Sequence, residues 1–151
     1  MRNLLLTLAL AVPFVSQTPP PAPHPGTAPV SITGPIAVGL DEADLWAKYE
    51  KDIKADPRSS IPHFRIAELY FQQHNYQSAA NEFSEALNED LQPRWIEVWS
   101  HVNIGKIFDI TAQRDRAINE YHQAQRTKDN TRGALDEAET YLAVPYPRAE
   151  K

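Results

Sequence analysis

The residues best equipped for acid–base or metal chemistry are five histidines, His24, His63, His74, His101 and His122. A helical metal pair needs two ligands four residues apart on one face, and no two of these histidines have that spacing. His74 falls in a turn pattern and His24 in a proline-rich stretch, where solvent exposure is the simplest expectation. No His-Glu-x-x-His run, Gly-x-Ser-x-Gly elbow or phosphate-cradling glycine loop occurs. Cysteine is absent, which removes thiolate metal centres, cysteine nucleophiles and disulfides. Carboxylates are plentiful, but acid–base catalysis needs two of them converging across a cleft. Glu42 and Asp44, Glu82 and Glu85, and Asp136 and Glu137 instead fall on polar helix faces and read as solvating charge. Trp46, Trp95 and Trp99, with six tyrosines, offer the stacking surface of a sugar site, yet a helical core uses the same residues. The expectation is a non-enzymatic chain with no catalytic residue, cofactor or metal.

The elements that would position these residues follow from composition. At 151 residues, 42% hydrophobic and 23% charged, the chain has the length of one ordinary domain. A formal charge of -5 gives no electrostatic footprint for nucleic acid or an anionic membrane surface. Arg2 followed by the apolar run Leu4 to Val15 has the layout of a secretory signal peptide over 1–17, too short to span a bilayer as a helix. Export from a bacterial cytoplasm to the periplasm or beyond is therefore expected, with no membrane span left after signal removal. Seven prolines between Pro19 and Pro35 make 18–39 a linker, since proline fixes φ and lacks a donor. From Asp41 the apolar spacing turns helical. Asp41 is placed to cap a first helix that Pro57 ends, and helices are predicted over 61–73, 76–88, 94–111, 114–127 and 131–142, with 144–151 a tail.

A shift of 38 residues aligns two blocks. His63, Ile66, Ala67 and Tyr70 fall on His101, Ile104, Gly105 and Phe108, and Ala79, Phe83 and Ala86 fall on Ala117, Tyr121 and Ala124. Small pairs with small and aromatic with aromatic through two consecutive helices, which two unrelated amphipathic helices would not do. The pattern resembles the tetratricopeptide repeat family, with Ile104-Gly105, Phe108, Ala117 and Tyr121 in its signature positions and Ile66-Ala67, Tyr70, Ala79 and Phe83 in those of a second copy. It departs in having His63 and His101 in the tryptophan slot and four surplus residues, which fit around Leu91 to Trp95. The resemblance implies an all-α superhelix of about two full helix pairs, 60–93 and 98–131, with a degenerate N-terminal helix and a capping helix at 131–142, together spanning 40–143.

In that family the first helices of successive units line a concave groove that takes a peptide or a partner helix. By register, the groove here would present Ile61, Phe64, Glu68, Phe71 and Gln72, then Trp99, Val102, Asn103, Lys106, Asp109 and Ile110. Asn103 matches a position that bonds a bound peptide's backbone, whereas Phe64 and Glu68 replace the residues that clamp acidic peptide ends. Phe64, Phe71 and Trp99 would leave aromatic area that monomers rarely expose without use. The resemblance thus implies an exported, non-catalytic adaptor that binds a protein or peptide through this groove. The alternatives are a self-assembling spacer, possible as a homo-oligomer with its groove filled by its own chain, and an accessory subunit of an envelope enzyme.

Overall fold

A computed structural model describes residues 41–148; the expected signal peptide, the linker and the last residues of the tail lie outside them. The described residues form six α-helices and no strand: α1 Glu42–Ala55, α2 Ser60–Gln72, α3 Tyr76–Asn88, α4 Trp95–Ile110, α5 Arg114–Thr127 and α6 Ala134–Ala143. The chain is all-α over this region. Asp41 caps α1 by accepting the Asp44 N–H at 2.9 Å, and Pro57 follows its end. The buried side of α1 sets Leu45 and Tyr49 against Ile66 and Leu69 of α2, while the Trp46 and Tyr70 rings meet edge-on with centroids 4.7 Å apart.

Helices α2 and α3 pack on each other, α4 and α5 do likewise, and α3 packs on α4. The two pairs repeat one another in detail. Each is closed by a three-residue turn whose middle residue is left-handed, His74 at φ 60° and Ala112 at φ 64°. The following N–H, from Asn75 or Gln113, reaches back to the carbonyl of Tyr70 or Phe108 at 2.9 and 2.7 Å. Such a turn satisfies the last carbonyls of the helix and reverses the chain. In the second pair the small residue on the first helix faces the aromatic on the second. At Gly105 a Cβ would fall 2.4 Å from the Tyr121 ring, so no larger residue fits. The surplus residues lie in the connector 89–94 and in an extra first turn of α4, which starts three residues ahead of the position equivalent to Ser60. Asp90 anchors that connector by accepting the Ser60 N–H at 3.1 Å and the Gln92 N–H at 3.0 Å, and Ser60 Oγ accepts the Leu91 N–H at 2.8 Å. The backbone N–H of Gln92 holds the Asp90 carboxyl below its usual value.

The closing helix departs from expectation. Arg132 at φ 55° and Gly133 at φ 78° break the run, leaving a single 3-10 turn at Thr131–Gly133 before α6 begins at Ala134. Asn130 bridges the break by accepting the Leu135 N–H at 2.8 Å.

Two substitutions at repeat-equivalent features are expected to move stability in opposite directions. Gly105→Ala should destabilise by about 1–3 kcal/mol, because overpacking against Tyr121 outweighs the gain in helix propensity. Ala112→Gly should stabilise by about 0.5–1 kcal/mol by relieving a left-handed alanine. Urea unfolding monitored by circular dichroism reads both, and a stabilised Gly105→Ala chain would contradict the close approach of α4 and α5.

Candidate functional site

Helix α4 carries most of the residues expected to line a groove, and its own sequence determines where they end up. WIEVWSHVNIGKIFDI is apolar on every side, and a helix of that kind is buried. It is packed by α2, α3, α5 and α6 together. The open aromatic groove is accordingly not found. Phe64 is 0% exposed, edge-on to Phe83 and to Trp95 with both centroid separations 5.2 Å, and Trp99 is 4% exposed with its Nε1–H donated to the Thr131 carbonyl at 3.0 Å. Phe71 and Ile110 are half-buried, Phe71 against Tyr76, and Val102 is buried. Only Ile61 and Gln72 of the expected set stand exposed, with Glu68 half-buried beside Arg65 at 2.7 Å. Burial raises the Glu68 carboxyl and the Arg65 cation opposes that rise. Tyr70 and Phe108, expected between helices, are each half-buried, Tyr70 by Trp46 and Phe108 beneath the Arg116 guanidinium at 3.9 Å from its centroid.

Asn103, Lys106 and Asp109 are brought together on α4, facing inward, with Lys106 directed at α6 and Asp109 at the segment that follows it. Lys106 Nζ pairs with Glu137 of α6 and lies 3.4 Å from Asn103 Oδ1. Around the ammonium stand three rings, Trp99 at 5.6 Å, Tyr141 at 5.7 Å and Tyr146 at 5.6 Å, close enough for their negative faces to attract it. Desolvation lowers the Lys106 pKa and Glu137 pulls it back. One turn on, Asp109 has a side chain that is 0% exposed and accepts on both oxygens. Arg114 Nη1 donates to each of them at 3.0 Å, the Tyr121 hydroxyl donates at 2.9 Å and the Tyr146 N–H at 2.8 Å. Burial, reinforced by the hydrogen bond to Asp109, pushes the Tyr121 phenol far above its ordinary value. Arg114 also donates Nη2–H to the Leu142 carbonyl at 2.7 Å, tying α5 to the end of α6. The expected tail is therefore structured through Arg148: it closes this cluster.

Two readings of charge are corrected. Glu137 is not a solvating carboxylate but the counter-ion of Lys106. Glu82 Oε2 lies 2.9 Å from His63 Nδ1 and Glu120 Oε2 lies 2.8 Å from His101 Nδ1, a bridge repeated at the same register in both helix pairs. Recurrence of the histidines thus reflects pairing between the two helices of each unit. Among the described residues no group of His, Asp or Glu is arranged to hold a metal ion, and no helix is long and apolar enough to cross a membrane. The chain matches no protein-family model, no curated protein and no solved structure.

Glu137→Gln is expected to destabilise the chain by about 3 kcal/mol at pH 7, since it strands the buried Lys106 charge. The folded chain holds the Lys106 proton less tightly than the unfolded chain does. As pH rises toward the ordinary lysine value of about 10.4, the unfolded state binds more protons and that penalty shrinks. Urea melts at pH 7 and 9.5 should show the gap to the unaltered protein narrowing; an equal gap at both would contradict a charged, buried Lys106.

Proposed function

We propose that this chain is an exported, non-catalytic scaffold of tetratricopeptide type, a short superhelical stack that joins proteins in the bacterial envelope. The observation that carries the reading is the duplication of one helix pair at a spacing of 38 residues. Equivalent left-handed turns and His–Glu bridges support a repeat unit rather than a chance resemblance of amphipathic helices. Repeat stacks of this kind act by presenting a surface along the array. The surface left open for a partner is the exposed edge of α2, where Ile61 is 42% exposed and Gln72 stands one helix length away. Arg2 and the apolar run after it support export.

A second reading, a self-assembling spacer, is favoured by the burial of Phe64 and Trp99, which removes the aromatic groove as an adaptor surface. One experiment separates the two. A photo-crosslinking side chain placed at Ile61 in cells should trap a different envelope protein, while the same group at exposed Asn119 on α5 traps none. Crosslinks to a second copy of the chain would assign the spacer role, and recovery of a full-length chain from the cytosol would end the exported reading altogether.

A further inference from the structure

From Val144 to Arg148 the chain runs without secondary structure to hold it. The last backbone–backbone hydrogen bond of α6 runs from the Val144 N–H to the Thr140 carbonyl at 3.0 Å, and among the described residues none follows. Val144 is 55% exposed, and Pro145, Pro147 and Arg148 are exposed as well. A single side chain enters the fold. Tyr146 sits edge-on to Tyr141 with centroids 5.0 Å apart and 5.6 Å from Lys106 Nζ, while its N–H donates to Asp109 Oδ2 at 2.8 Å. Arg148 then donates Nε–H to the Asp109 carbonyl at 3.4 Å, at the C-terminal end of α4 where the helix dipole favours a cation.

This is the manner in which a groove reads a bound peptide: one aromatic anchor, one main-chain hydrogen bond, one basic residue at a negative end, and flanking prolines that reduce the entropy lost on docking. Elements of a core are attached differently, through rows of buried side chains and a backbone ladder. A segment held by so few contacts opens at far lower free energy than the whole fold.

We infer that Asp109, Lys106 and Tyr141 form a binding site for an aromatic–proline–basic peptide, filled in this chain by its own Pro145–Arg148 as an exchangeable occupant. The site uses two of the α4 residues that register placed in the groove, Lys106 and Asp109, and does not involve the open edge of α2. The proline-rich stretch 18–39 is a poor competitor for it, because it contains no tyrosine, phenylalanine, tryptophan, lysine or arginine.

The test uses the full chain carrying Tyr146→Ala with Arg148→Ala, titrated with a fluorescent synthetic peptide of residues 144–151. Saturable binding to the variant is expected, at least tenfold tighter than to the unaltered chain, whose tethered segment competes at an effective concentration of about millimolar. A peptide with alanine in place of its tyrosine, and a peptide of residues 18–39, should not bind. Failure of the variant to bind, equal binding by both chains, or loss of helicity in the variant would overturn the inference. Hydrogen exchange on the unaltered chain provides a second arm. The Tyr146 amide should exchange at least a hundredfold faster than the Gly105 amide, and equal protection of the two would make the segment core.

Discussion

A carboxylate sealed from water is costly unless donors meet its oxygens, and both oxygens of Asp109 accept from donors beyond its own helix. Arg114 and Tyr121 come from α5, and the Tyr146 N–H comes from the segment after α6. Since Arg114 also holds the Leu142 carbonyl, the position of α6 is coupled to the same charge. The C-terminal half of the molecule is thereby a set of mutually dependent choices: α5 cannot shift without unpairing Asp109, and α6 cannot leave without opening both this carboxylate and the Lys106 pair.

The N-terminal pair reaches the same geometry with less polar chemistry. Ala67 stands where the second pair has Gly105, and Phe83 where it has Tyr121, so there is no phenol to satisfy and no buried carboxylate below it. At position 71 a phenylalanine replaces the aspartate of position 109, and it rests on Tyr76. One backbone plan thus supports an apolar unit and a polar unit. The polar unit adds directional bonds, which fix where the closing helix and the following segment attach.

Much of this architecture was legible in the sequence. Apolar spacing placed α3 and α5 at their observed bounds and α2 and α4 within one residue, and Asp41 caps α1 as its residue type suggested. The 38-residue pairing of small and aromatic positions carried through to the contact of Gly105 with Tyr121. The site was legible in its residues but not in its direction. Register selects Lys106, Asn103 and Asp109, yet as groove-facing groups, because helical register specifies a face and not what covers that face. The apolar character of α4 all around was the signal that charges on it would be buried. What the sequence did not show was the role of Tyr146 and Arg148, whose contacts with Asp109 span 37 and 39 residues and come from a proline-interrupted run with no periodicity. Helix α6 starts at Ala134 and not at 131 for a local reason, the left-handed pair Arg132 and Gly133.

The most direct test of the account is the unfolding free energy of Asp109→Asn, measured in urea together with the exchange rate of the Tyr146 amide. Removing the charge while keeping the shape should cost about 3 kcal/mol, from weakened charge-assisted bonds to Arg114 and a poorer acceptor for Tyr121. The Tyr146 amide should lose its protection even where the helices stay folded. A loss below about 0.5 kcal/mol, the range of an ordinary surface substitution, with Tyr146 still protected, would show that the fold does not depend on this carboxylate.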